Sequence, residues 1–436
     1  MAKNKIRFQK RLFFKNQLKE KNLYFGKFSD RDKSYEQLMF LQEADNLFSQ
    51  RKNLDAFEKF LLFITDNKNE NVRFKKDKKI EFDIVQGSKI ISGYTDGKII
   101  KAETELFSFD EDIPQLYQIL LEQTHNLKFT KFLVNKNVIS AQISLYLDYC
   151  TVDLLYYSLR ELSVISDKLD DYLELQFKNL RPLNKSHIIQ MPDNEFDVKT
   201  KYLKKWLAKS LELSKKLDNA NFADAKSFIL ISTIYRILYL IVPEGELDDM
   251  LKDLEKFFFE SQKSTVEKNK IIEEKLKNVL EWDNQRLKKS LYKVIRTFPE
   301  KMPSKTKETI SFIQQEIGKI YWYESNKFEE ISRYILEYIA GYIDAHFGNI
   351  PVLNDLFLIF WQVMYKDYFN DLGINRLPYE KNSISYFLLH KNFSIINSTA
   401  RENYPRFFFN VKHLDLKDKY SFAKTFFQEI LNIDFN

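Results

Sequence analysis

The stretch "GYTDGKI" (93–99) holds Gly93, Gly97 and Lys98, the ingredients of a loop that cradles phosphate. A phosphate loop needs four residues between its glycines and Ser or Thr after its lysine. Here three residues intervene and Ile99 follows Lys98. The flanks alternate like strands, whereas a phosphate loop opens a helix, so the match argues against nucleotide binding. The histidines His125, His187, His346, His390 and His413 show no HxH or HxxxH spacing that would aim two imidazoles at one metal. In "YIDAHFGN", Asp344 and His346 are two residues apart and diverge on a helix. An enzymatic reading of this chain would centre on His346. Glu329, Glu330 and Glu337 share one helix, but among 62 acidic residues that coincidence is expected. Cys150 is the single cysteine, which excludes an intramolecular disulfide or a cysteine-rich zinc site. It reads as buried filler at a strand end. The sequence thus offers no catalytic constellation, no metal site and no cofactor site.

The elements around these residues argue for surfaces instead. Only nine glycines occur in 436 residues, and three fall between 87 and 97. Gly87-Ser88 reads as a Gly-first turn and Asp96-Gly97 as a type I′ turn. That register pairs Val85 with Ile90, Ile84 with Ile91 and Phe82 with Gly93. It then pairs Tyr94 with Ile99, Gly93 with Ile100 and Ile91 with Ala102. One face collects Ile80, Phe82, Ile84, Ile91, Gly93, Ile100, Ala102 and Leu106. The other collects Glu81, Asp83, Val85, Ile90, Ser92, Tyr94, Ile99, Lys101, Glu103 and Glu105. A slip of one residue would scramble this sorting.

Residues 35–66 read as two helices broken at Arg51–Asn53, a hairpin that resembles one tetratricopeptide repeat, with no second copy at a fixed period. Residues 67–78 are polar and read as a loop. A short helix (112–125) carries Pro114 in its first turn. A hairpin around a loop at 135–137 follows, with Phe129, Leu133, Ile139, Ala141, Ile143, Leu145 and Leu147 on one face and Thr130, Phe132, Gln142, Ser144 and Tyr146 on the other. Thr151 is placed to cap a long amphipathic helix. From about 195 the pattern is helical throughout, including one long charged helix over 264–295. The apolar runs 227–242 and 352–369 contain Arg236, Asp355 and Lys366, and read as buried core helices.

The fold class expected is α+β: a five-strand antiparallel sheet with flanking helices over residues 34–185, fused to an all-α domain over 195–436. Residues 1–33 form a basic arm with a net charge of +8, which leaves −2 for the remainder. Lys3, Lys5, Arg7, Lys10, Arg11 and Lys15 are its first charges, interleaved with aromatics such as Phe8, Phe13, Tyr24 and Phe25. Such an arm is either a solvated tail with docked aromatics or a contact for nucleic acid, an anionic membrane or an acidic protein. "RLFFKNQL" is too charged for a signal peptide, and the cysteine usage suits a reducing cytoplasm.

The meander "FDIVQGSKIISGYTDGKIIKAETEL" and the helix "LRELSVISDKLDDYLELQF" (159–177) resemble the YbjN and type III secretion chaperone-like family over about residues 53–180. The resemblance implies a twisted antiparallel sheet packed by helices, in small cytoplasmic dimers that hold a partner's segment extended. It implies no enzymatic activity. The helical domain and the charge balance depart from that family. The expected function is a cytoplasmic protein-binding adaptor or chaperone, with Val85, Ile90, Tyr94, Ile99, Phe132 and Tyr146 as its contact surface and self-association into a homodimer as a further expectation. The alternative is nucleic-acid or membrane binding through the arm.

Overall fold

The computed structural model describes residues 18, 23–26, 33–66, 70–184, 188–217, 221–326, 328–375 and 377–435. Helix α1 (Tyr35–Ser49) starts at a capping box, in which the Ser34 hydroxyl accepts from the Gln37 amide and Gln37 accepts from the Ser34 amide. Helix α2 (Asn53–Ile64) buries Phe57, Phe60, Leu61 and Ile64. The sheet follows: β1 (Val72–Lys76), β2 (Ile80–Gly87), β3 (Lys89–Thr95) and β4 (Ile99–Ser108). After α3 (Pro114–Asn126) come β5 (Lys131–Asn135), β6 (Val138–Tyr146) and the 25-residue α4 (Val152–Gln176). The Thr151 hydroxyl caps α4 by accepting from the Leu154 amide at 3.1 Å.

The sheet order is β1-β2-β3-β4-β6-β5, antiparallel throughout. Two short strands extend it to eight: β7 (Arg181–Pro182) on β4, and β10 (Ile295–Arg296) on β2. The sequence reading of five strands was therefore too few. The mostly charged "VRFKKDKK" reads as part of a loop over 67–78, but residues 72–76 are a strand. Phe74 lies opposite Phe82, while Arg73 faces Asp83 and Lys75 faces Glu81, so the outward lysines and arginine answer carboxylates across the strand.

The first hairpin has the expected register, Val85 opposite Ile90 and Ile84 opposite Ile91. In the second, Gly93 pairs with Ala102 and Thr95 with Ile100, two residues away from expectation. A type I′ turn needs positive φ at both central residues. Only Gly97 has it, at +88°. Asp96 instead folds its carboxylate onto the amides of Lys98 and Ile99 at 2.9 and 3.0 Å, which opens a longer loop. A shift of two preserves the faces, so Ile80, Phe82, Ile84, Ile91, Ile100, Ala102 and Leu106 are all buried. The third hairpin differs by one. Lys136 and Asn137 both adopt positive φ and close a two-residue turn that pairs Asn135 with Val138. Phe132 then faces inward opposite Ala141, and Leu133 faces out opposite Ser140.

Helices α2, α3 and α4 cover one face of the sheet, with α4 crossing β2, β3, β4 and β6, and α1 packs on α2 and α4. The other face is open. Beyond β8 (Ile189–Gln190) the chain is mainly helical: α5 (Asp193–Lys216), α6 (Ala223–Arg236), α7 (Gly245–Phe259), α8 (Thr265–Leu280) and α9 (Asn284–Lys288). The expected single helix over 264–295 is thus two helices and the short strands β9 (Tyr292–Lys293) and β10. Asp283 ends the run by capping a new helix, accepting from the Arg286 amide. Then α10 (Thr306–Ser325), α11 (Glu329–His346), α12 (Pro351–Met364), α13 (Lys366–Asp371), α14 (Tyr386–Ala400) and α15 (Lys419–Leu431) complete a second core. The runs at 227–242 and 352–364 are almost wholly buried in it. Among the described residues no helix is long and apolar enough to cross a membrane.

Residues 292–300 join the two cores. Phe298 is fully buried under the sheet. Arg296 lies beside the buried Glu244 (Nη1 to Oε1, 2.9 Å) and Asp167 (3.8 Å) and the partly buried Glu300 (3.4 Å). Asp167 accepts from the Ser88 amide at 3.0 Å. Burial pushes the Asp167 carboxyl up to about 6, against the pull of Arg296 and that amide. Gly87, at φ +58°, packs on the same carboxylate so closely that a Cβ would stand 1.8 Å from Oδ1. The glycine at this turn therefore serves the junction as well as the hairpin.

The arm is partly docked. Leu18 and Leu23 are buried in the helical core, the Gly26 amide donates to the Tyr239 carbonyl at 2.8 Å, and Phe25 packs on Phe369 with ring centroids 5.0 Å apart. Lys3, Lys5, Arg7, Lys10, Arg11 and Lys15 lie outside the described residues.

Candidate functional site

The open sheet face places Tyr94, Ile99 and Tyr146 together. Ile99 on β4 is directly opposite Tyr146 on β6, and Tyr94 on β3 is opposite Lys101, diagonal to Ile99. Tyr94 is 42% exposed and Tyr146 67%. The loop below them is held from behind: Asn53 donates to the Gly97 carbonyl and to Asp148, each at 2.9 Å, and the Leu147 amide donates to the Lys98 carbonyl. Tyr149, just beyond β6, is the most exposed aromatic of this corner. Lys79 stands over the Tyr94 ring at 5.8 Å and pairs with Glu81. Phenol rings on rigid strands, fringed by Lys79, Glu81 and Lys101, can offer flat apolar contact with polar tips.

The other three residues of the expected surface lie elsewhere. Val85 is buried, at the end of β2 where β10 pairs with Gln86 and Gly87 and the Thr297 hydroxyl donates to the Val85 carbonyl at 2.7 Å. Ile90 is half-buried beside it. Phe132 is on the inner face and packs against the sheet core. Leu133 and Val134, which the sequence reading placed inward or passed over, are exposed at 40% and 48%. The signal for Leu133 was Asn137, a residue that tolerates positive φ, which makes "KN" a two-residue turn and flips the strand before it.

The groups with chemical potential are individually held. Burial pushes the Cys150 thiol up to about 11, which leaves it a poor nucleophile. His413 is 2.6 Å from Glu429, and His125 and His390 are exposed. His187 lies outside the described residues. His346 is not isolated among apolar side chains: its Nε2 is 2.7 Å from Glu255 and 3.3 Å from the Tyr235 hydroxyl, with the Tyr342 ring 4.2 Å away. Glu337 is buried while Glu329 and Glu330 are exposed, so those three carboxylates do not converge. Among the described residues, no three His, Cys, Asp or Glu side chains gather closely enough to hold a metal ion. A cleft of about 450 Å³ between the two bodies is lined by Lys33, Phe63, Ile350, Asp355, Ile396 and Tyr404 and includes none of the histidines.

Asp344 does diverge from His346, inward, where it accepts from the Trp361 indole at 3.0 Å. Burial pushes its carboxyl from 3.8 up to about 7, against Lys301 and that indole. The folded state therefore holds this proton more tightly than the unfolded one, and the stability so gained is lost as pH rises through 7. The shift corresponds to roughly 4 kcal/mol. Asp344→Asn keeps an acceptor for Trp361 but adds amide donors, so about half of that gain is expected: on the order of 2 kcal/mol more stable than the parent at pH 8, fading toward pH 5. Urea denaturation at both pH values measures it, and a difference that does not vary with pH contradicts the assignment.

No protein-family profile matches the chain, and no curated protein matches it.

Proposed function

We propose that this chain is a non-enzymatic protein-binding adaptor of the secretion-chaperone-like kind, acting in the cytoplasm, whose open sheet face holds a segment of a partner protein. One observation carries the reading. The inner face of the long strands is buried under helices, while the outer face away from Val85 and Ile90 is uncovered and gathers Tyr94, Ile99 and Tyr146 at one corner. Tyrosine is enriched among residues that dominate binding energy at protein interfaces, and a rigid sheet presents it at small entropic cost. The polar fringe, Lys79, Glu81 and Lys101, suits a partner segment of mixed charge flanking an apolar centre.

The double variant Tyr94→Glu/Tyr146→Glu tests this surface. Both side chains are exposed, so thermal unfolding is expected to stay within about 0.5 kcal/mol of the parent for each substitution. Proteins that co-purify with the parent chain from its native cells are expected to fall at least about tenfold with the variant, a loss of roughly 1.4 kcal/mol or more. An unchanged set of co-purifying proteins overturns the proposed surface.

A further inference from the structure

The sheet ends at β5, and among the described residues no strand pairs with its outer edge. The two-residue turn Lys136-Asn137 closes on Asn135 and Val138, which exchange backbone hydrogen bonds in a hairpin of this type. Bonding alternates along an antiparallel strand. Leu133 and Lys131 therefore turn their backbone groups toward β6, and Phe132 and Val134 turn theirs to the free edge. An exposed edge with apolar side chains pairs readily unless charges, proline or a bulge blunt it. β5 has no proline or bulge, and its only charge, Lys131, is at one end.

We infer that β5 is the site of self-association, pairing antiparallel with β5 of a second copy about a two-fold axis at Leu133. The sequence "KFLVN" is chemically palindromic in that register. Phe132 stands opposite the second copy's Val134, each exchanging the edge-directed backbone bonds. Leu133 meets its own counterpart on the outer face. Lys131 meets Asn135, so the two lysines are kept apart and no like charges oppose each other. Every alternative register by two residues sets Lys131 against Leu133 or leaves half the strand unpaired. The pairing is isologous and closes, which an exposed strand needs if it is not to polymerise. It joins the two open sheet faces into one continuous surface. Self-association is measured on the protein alone, so its outcome is independent of partner capture at Tyr94 and Tyr146.

Five residues a side bury less than the roughly 1,200 Å² of a standard stable interface, so the dimer is expected at micromolar concentrations. Sedimentation velocity of the full chain over about 1–300 µM reads it directly. The expected result is a weight-average mass rising toward that of two chains. Val134→Pro deletes an edge-directed amide that the monomer does not use, as proline on an edge strand can. It is expected to weaken association at least about tenfold while melting as the parent does. Leu133→Cys is expected to form a disulfide-linked dimer under mild oxidation, since facing residues of this kind have Cα atoms about 4.5 Å apart, within disulfide range. Lys131→Cys, which faces Asn135 in this register, is expected not to. Cys150 is buried and does not compete. A monomer throughout the range overturns the inference, as does equal cross-linking by Leu133→Cys and Lys131→Cys; the cross-linking pair decides the matter if Val134→Pro fails to fold.

Discussion

Phe298→Ala is expected to cost about 3–5 kcal/mol of folding free energy, the range for truncating a fully buried aromatic. The ring fills the sheet core edge-on to Tyr156, with centroids 5.4 Å apart, although Leu291 and Ile313 on either side of it in sequence belong to the helical core. Its backbone is fixed as tightly as its side chain. Gln86 accepts from the Phe298 amide at 2.9 Å and donates to its carbonyl at 3.1 Å, while Asn71 donates to the Thr297 hydroxyl at 3.0 Å. Arg160 donates to the carbonyls of Pro299 and Glu300. Truncation leaves these polar anchors around a cavity that they prevent from collapsing, which places the cost toward the upper end. Phe298→Leu, which fills most of the volume, is expected to cost less than half as much. Because the segment that carries the ring joins the two bodies, hydrogen exchange should rise both in β2 and in residues 292–300. A loss below about 1 kcal/mol, or exchange confined to one body, contradicts a structural junction at this residue.

This junction marks where sequence reading stops. Local chemistry was legible: Thr151 caps a helix, Pro114 opens one, and Gly87 and Gly97 lie in turns at positive φ. The registers degrade in order of how local their determinants are. Gly87-Ser88 alone sets the first hairpin. The second depends on whether the Asp96 carboxylate or its backbone makes the turn, a contest of a few hydrogen bonds. The third turns on one residue, and the slip reversed Phe132 and Leu133. Non-local partners left no trace at all. Arg296 reads as one more cation in a charged region, and Asp167, Glu244 and Glu300 are scattered along more than a hundred residues around it. Of the expected surface, Tyr94, Ile99 and Tyr146 hold together because strand alternation alone puts them outside. Val85 does not stay exposed, and the segment that bonds its backbone, at Thr297, lies 212 residues away.

The second large effect concerns a residue that the sequence showed only as an interruption. Arg236 breaks the apolar run at 227–242, and in the structure it is buried against Glu337, with Nε donating to Oε2 at 3.1 Å. The rings of Trp206, Tyr334 and Tyr365 surround its guanidinium at 5.0–5.8 Å. Arg333 approaches the other carboxylate oxygen at 3.4 Å from a half-exposed position. Burial opposes ionisation of Glu337, but Arg236 and Arg333 outweigh it and hold the carboxyl below its ordinary value. Glu337→Ala strands a buried guanidinium among aromatic rings, and about 3–5 kcal/mol of destabilisation is expected. The pair itself is another matter, because both ions were taken out of water to form it. Arg236→Met/Glu337→Leu together are expected to recover most of the loss, since an apolar replacement of similar volume avoids that desolvation. A double-mutant cycle measured by denaturation separates the two effects. The pH profile gives an independent reading. A depressed carboxyl contributes stability that is present above its ordinary pKa of about 4.5 and lost as pH falls below it. The parent should therefore lose stability on acidification below about pH 4.5 more steeply than the double variant, in which neither partner titrates. Glu337→Ala costing less than about 1 kcal/mol, or identical acid limbs in parent and double variant, would show that Arg236 is neutralised by something other than this glutamate.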